Sequence, residues 1–281
     1  MPTRFSKRIP LFLHKWIPLV AAALALAGCA GPHQPSSSLH IDDSIRSVSH
    51  SSRVRYIVLH YTSADAKTSL KLLSQGRVSS HYLITDDARP HVYRLVDETR
   101  SSWHAGESQW YKQVSLNAVS IGIELVNSGR MDLANGQKQW APYSPAQIQT
   151  LTVLVKELIV RYGIRAENIV GHSDIAPQRK TDPGPLFPWK QLAEAGVGRW
   201  YNEAQAATNW VALQHRGTPD IAWFQSKLTE LGYACPQHGK MDRETQNVLA
   251  AFQMHYRPSN YDGKPDAETA AIMMALLEAQ H

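Results

Sequence analysis

The sequence predicts an α/β fold: a mixed central β-sheet flanked by helices, followed by a small C-terminal three-helix domain. Three observations support it. Short apolar runs rich in β-branched and aromatic residues recur between Arg55 and His172, the pattern of buried strands. One helical segment with strong start and stop signals lies among them. Further on, "GKMDRET" at Gly239 recurs as "GKPDAET" at Gly263, an internal repeat set between helical stretches.

Taken in order, residues 1–28 read as an export signal rather than as fold. Arg4, Lys7, Arg8 and Lys15 accompany "WIPLVAAALALAG", an apolar stretch too short to span a bilayer comfortably. It ends in "LAGC", Leu26 to Cys29, which resembles a bacterial lipobox. That resemblance implies lipid on Cys29 and, with Ala30 rather than aspartate next, an outer-membrane anchor facing the periplasm. An ordinary signal peptide with a chance cysteine is the alternative. Residues 29–52 are rich in Ser and Pro and read as a flexible tether, with a reach of roughly 70 Å when extended. The chain has two cysteines. If Cys29 carries lipid, Cys235 has no intramolecular partner, so a disulfide scaffold is excluded and Cys235 is expected to pack as a small apolar side chain.

The 281 residues, 43% of them hydrophobic, suffice for one substantial domain and a small one, and a charged fraction of 19% argues against a disordered chain. The net charge of +5 is modest, and part of it lies in the N-terminal segment. No basic run, nucleic-acid motif or Gly-rich phosphate loop is present, so nucleic acid is not an expected partner.

The first domain is expected over residues 53–205. "RYIVLHYT" (Arg55–Thr62) is a buried strand by pattern, and "HYLIT" and "HVYRLV" are two more, separated by the turn-rich "DDARP". In "VSIGIELVN", Ile121, Ile123 and Leu125 share one face while Gly122, Glu124 and Val126 share the other. Ser144 then caps a helix with Pro145 at its first position and Gln147 completing a capping box. Ile148, Leu151, Val155, Leu158 and Ile159 form its apolar stripe, and Gly163 closes it. "NIVGH" is the next strand. In residues 209–281 the repeat places Asp242 and Asp266 as helix caps ahead of Thr245 and Thr269.

The chemistry concentrates in "IVGHSDIAPQRKTDPGPLFPW". A hydrolytic metal needs about three protein ligands and one open position for water. His60 and His172, each ending a strand, and Asp182, in a loop stiffened by prolines, would supply such a set. The chain has 13 histidines, so spacing alone does not decide the matter. "IVLHYT", "SSHYLI", "WHAG", "SIGIELVN" and "GHSDIAPQRKTDPGPLFPW" together resemble the type 2 N-acetylmuramoyl-L-alanine amidases. These are zinc enzymes related to phage T7-type lysozyme and peptidoglycan recognition proteins.

The resemblance implies one Zn²⁺ on His60, His172 and Asp182. It implies Glu124 as the acid-base residue and Lys180 as the cation facing the oxyanion. His81, Trp103 and His104 are implied to line the substrate groove. Without it, Glu124 would read as a solvated strand-face glutamate, Lys180 as a solvated loop lysine and Trp103 as core. The C-terminal part resembles the peptidoglycan-binding-domain family from Pro219 to Leu277. A helical unit that only stabilises the first domain is the alternative. The expected activity is hydrolysis of the amide between N-acetylmuramic acid and L-alanine in peptidoglycan or muropeptides, by a monomer. The rivals are a non-catalytic peptidoglycan receptor using the same groove, and a general zinc protease, for which an HExxH helix is missing.

Overall fold

The apolar run after Arg55 becomes the middle of a sheet. In the computed structural model, which describes residues 41–133 and 138–279, the elements run as follows. β1 (Tyr56–Tyr61), α1 (Ala66–Gln75), β2 (Tyr82–Ile84) and β3 (Val92–Arg94) come first. A hairpin of β4 (Gln109–Trp110) and β5 (Gln113–Val114) precedes β6 (Ser120–Leu125), and a second of β7 (Arg130–Asp132) and β8 (Lys138–Trp140) follows it. Then come α2 (Pro145–Tyr162), β9 (Ile169–Gly171), α3 (His172–Ile175) and α4 (Trp189–Glu194). The last four helices are α5 (Glu203–Arg216), α6 (Ile221–Glu230), α7 (Arg243–Tyr256) and α8 (Ala267–Glu278). The expected signal segment 1–28, Cys29 and the tether as far as residue 40 lie outside the described residues. Ile41–His50 is exposed without helix or strand, and the chain from Ser51 onward forms one compact unit. Among the described residues no helix is long and apolar enough to cross a membrane.

Five strands form the expected mixed sheet, in the order β3-β2-β6-β1-β9. β1 runs parallel to both β6 and β9, β2 runs parallel to β6, and β3 closes one edge antiparallel. The two-residue period of a strand divides the core. Ile57, Leu59, Ile121, Ile123 and Leu125 join Ile148, Leu151, Val155 and Leu158 of α2 in one buried cluster. Tyr56, Val58 and Val170, of the other parity, join a cluster with Phe224, Leu228 and Phe252 from the C-terminal helices. Those helices therefore cover the sheet face that α2 leaves.

Ser144 caps α2 by accepting from the Gln147 amide at 3.2 Å, and Gly163 ends the helix in the left-handed conformation. The expected capping box does not close. The Gln147 side chain is buried against the strand ends and donates instead to the carbonyls of Ile84 and Val126, at 3.2 and 2.9 Å, because a buried amide must find partners where it lies. A second correction concerns His172, which does not end β9 but begins α3.

The repeat has a structural cause. Asp242 and Asp266 cap α7 and α8, accepting from the amides of Thr245 and Thr269 at 2.7 and 2.8 Å. In each copy a buried glutamine from the preceding helix then binds the repeat. Gln225 accepts from Gly239 N (2.7 Å) and donates to the Thr245 hydroxyl (2.8 Å). Gln253 does the same with Gly263 (2.8 Å) and Thr269 (3.1 Å).

Candidate active site

Parallel strands bring their carboxyl ends to one side, and ligands bind in the crevice beyond them. β9, β1 and β6 are neighbours, and each delivers a residue there. His172 follows β9, His60 is the penultimate residue of β1, and Glu124 sits opposite His60 in the β1–β6 register. Asp182 arrives from the loop after α3, tied in by a 2.8 Å bond from Ser173 N to its carbonyl. The predicted metal set is thereby assembled. His60 Nδ1 lies 2.9 Å from His172 Nδ1 and 2.9 Å from Asp182 Oδ2, and His172 Nδ1 lies 3.1 Å from the same oxygen. All three side chains are buried.

The far nitrogens of the two imidazoles decide what these short distances mean. The Ser120 hydroxyl donates its one hydrogen to the Leu116 carbonyl at 2.6 Å, so at 3.0 Å it can only accept from His104 Nε2–H. His104 Nδ1 must then accept, at 3.0 Å, from His60 Nε2–H. His172 Nε2–H donates to the Ala105 carbonyl at 3.1 Å. In the neutral rings both Nδ1 atoms are lone-pair nitrogens, aimed at each other and at a carboxylate oxygen. Three lone pairs with no hydrogen among them repel unless a cation lies between. Ligand edges around tetrahedral zinc are about 3.3 Å for bonds of about 2.0–2.1 Å. The donor set fits Zn²⁺.

Charge in the site follows from burial. Burial and the neighbouring His172 bring the His60 imidazole down to about 4, with Asp182 opposing them. Burial works against the charge on Asp182, but His172 and His60 outweigh it and hold that carboxyl well below the usual range. Burial, then Asp182, push the Glu124 carboxyl up to about 8, with Lys180 pulling the other way, and Glu124 Oε2 is buried with no hydrogen-bond partner. Both Glu124 and Lys180 line a cavity of about 290 Å³ together with the three predicted ligands.

Trp103 stands at the rim of that cavity, 65% exposed, rather than in the core. His104 reaches the wall but is buried, with both ring nitrogens engaged as described. The structure does not bring His81 to the cavity. It is fully buried beside β6, where Nδ1 accepts from Gly122 N at 3.0 Å and from the Ser102 hydroxyl at 2.7 Å, and Nε2 donates to the Arg100 carbonyl at 3.0 Å. Other residues come forward that the sequence reading passed over. Asn117 Oδ1 accepts from the amides of both His104 and Ala105, at 3.1 and 2.7 Å, and so holds the two partners of the His60 and His172 imidazoles. A Cβ at Gly122 would lie 2.4 Å from the His104 ring, so the glycine of "SIGIELVN" makes room for that ring. Tyr61, bonded to the Thr181 hydroxyl at 3.1 Å, also lines the cavity.

Comparison with known proteins agrees with this geometry. The family described as N-acetylmuramoyl-L-alanine amidase matches residues 50–185. The chain is 46% identical over 268 residues to the N-acetylmuramoyl-L-alanine amidase AmiD of Escherichia coli K12, covering 92% of this chain and 96% of that protein. The chain belongs to this amidase family. A peptidoglycan binding domain family matches residues 217–273. Among solved structures, the amidase fold here is similar to E. coli AmiD in complex with anhydro-N-acetylmuramic acid-L-Ala-D-γ-Glu-L-Lys. That match has a TM-score of 0.78 and 43% identity over 85% of this chain and 94% of that one. It is also similar to AmpDh3 of Pseudomonas aeruginosa, with a TM-score of 0.81 and 41% identity over 86% and 98% of the two chains.

Proposed function

We propose that this amidase hydrolyses the amide joining N-acetylmuramic acid to L-alanine in peptidoglycan or its fragments, with Zn²⁺ held by His60, His172 and Asp182. The observation that carries the reading is the convergence of three lone pairs on one cavity that also holds a buried carboxyl and an ammonium. Bound there, zinc would polarise the amide carbonyl and bring water toward ionisation near neutral pH. Glu124, beside His60 in register, would take the proton of the attacking water and return it to the leaving amine, the Zn²⁺ charge holding its carboxyl ionised. Lys180 faces the carbonyl oxygen as negative charge grows on it. The exposed ring of Trp103 offers a flat face to the sugar at the rim. The test is incubation of the purified chain with sacculus and with a soluble muropeptide, reading products by mass. Release of the intact peptide with a free L-alanine amine is expected, abolished by a chelator and restored by zinc. Full activity after complete metal removal would refute the mechanism.

Lipid on Cys29 and an outer-membrane address complete the proposal, supported by the order of positive residues, apolar stretch and "LAGC". Cys29→Ser should leave the membrane fraction and remain active. Membrane retention of that variant without lipid would point instead to an uncleaved apolar segment. The match of residues 217–273 to a peptidoglycan binding family supports polymeric wall as the partner, and a monomer is the simplest acting form.

A further inference from the structure

The turn that bears His172 is gripped by the C-terminal helices. Asp174 lies two residues beyond His172 in α3 and is 1% exposed. Its carboxylate accepts three hydrogen bonds. Oδ2 takes Gly171 N at 2.7 Å and His255 Nδ1–H at 2.8 Å, and Oδ1 takes the Tyr233 hydroxyl at 2.8 Å. The first bond ties the turn to β9; the other two come from α7 and from the segment after α6. His255 stacks flat on Trp189, with 3.8 Å between ring centroids and 10° between planes. Its Nε2 is buried without a partner, so its ring N–H is the one spent on Asp174. Tyr233 is buried edge-on against Trp110. The same turn also holds the other loop ligand, through the bond from Ser173 N to the Asp182 carbonyl. Movement of α3 therefore displaces His172 and the Asp182 backbone together.

We propose that Tyr233 and His255 are positioning residues for the metal site, so that the C-terminal helices set the place of His172 and Asp182 through Asp174. The inference rests on the reading of His60, His172 and Asp182 as zinc ligands. A buried carboxylate that loses two of its three donors does not keep its place; it turns toward water and takes its backbone with it. Metal ligands tolerate displacements of only about 0.2 Å.

The test measures zinc affinity of the metal-free full chain by competition with a chromophoric chelator, well below every melting temperature. The variants are Tyr233→Phe, His255→Phe and their double, with Met273→Ala as a control. His255→Phe keeps a flat ring on Trp189 while removing the N–H. Met273 is a buried residue of α8 that makes none of the bonds to Asp174, and its truncation lowers stability alone. Zinc affinity should fall about 10–100-fold in the double variant, the scale for loss of groups that orient ligands, and partway in each single variant. Met273→Ala should melt lower yet bind zinc as the wild type does. Should the double variant fail to fold, Tyr233→Phe, which deletes one oxygen atom, carries the comparison. Clamp variants that melt lower but bind zinc unchanged would overturn this inference and leave the ligand reading intact. A wild-type chain that binds no zinc would overturn both.

Discussion

The two imidazoles facing Asp182 are held by their far nitrogens, and that is where single substitutions act most cleanly. His104→Phe keeps a ring against Gly122 but leaves His60 Nε2–H without its acceptor. Zinc affinity should fall about 10–100-fold with the fold intact, read by chelator competition and circular dichroism. Unchanged affinity would reduce His104 to packing. Glu124→Ala should retain one zinc and lose about 10²–10⁴-fold in rate, the scale for a positioned proton carrier. Loss of the metal in that variant would make Glu124 a ligand. His60, His172 and Asp182 were legible from the motifs around them, since among 13 histidines strand ends and a proline-stiffened loop alone do not decide the set. Asn117 and Ser120 were not, since what a small polar side chain binds is fixed by which backbone folds against it. His81 shows the converse: a family motif marked it, yet the groups that satisfy its ring are Gly122 N, the Ser102 hydroxyl and the Arg100 carbonyl, all set by tertiary approach.

Between elements, one buried carboxylate joins the sheet to α2. Glu98 accepts from Arg161 at 2.6 and 2.8 Å and from the hydroxyls of Tyr82 on β2 and Tyr162 on α2. Burial pushes its carboxyl up, but the two hydroxyls and the guanidinium together outweigh burial and hold it below the ordinary value. A group depressed in the folded state adds stability above its unfolded pKa of about 4.3, and that stability is lost as pH falls through the lower folded value. Glu98→Gln should therefore destabilise by about 1–3 kcal/mol at neutral pH. The gap in melting temperature from wild type should narrow below about pH 4, and a gap that stays constant with pH would show that Glu98 acts by shape alone. The strands and α2 were readable from alternation and from the Ser144 and Gly163 boundaries. α5 was passed over although Asn202 caps it and His215 and Arg216 end it, because its buried face is only Ala206, Asn209 and Leu213. So weak a stripe gains its meaning from packing on α8.

Across the whole molecule, the sheet has two faces and two sources of cover. α2 shields the face of Ile57 and Leu59, while α6, α7 and α8 contribute to the cluster that holds Tyr56, Val58, Trp110, Ile175 and Ala176. A binding module on a flexible link raises the local concentration of a polymer it also holds, and affects soluble substrates little. A module that shares the core of the catalytic unit behaves differently. Ending the chain at Gly217 would return that apolar face to water at about 25 cal/mol per Å² and leave Asp174 with one donor of three. The shortened chain should melt well below the full one and lose activity on soluble muropeptide as well as on sacculus. Thermal melts and parallel assays on the two substrates decide the point. An unchanged melting temperature with a loss confined to sacculus would mean that the C-terminal helices act only by holding the wall.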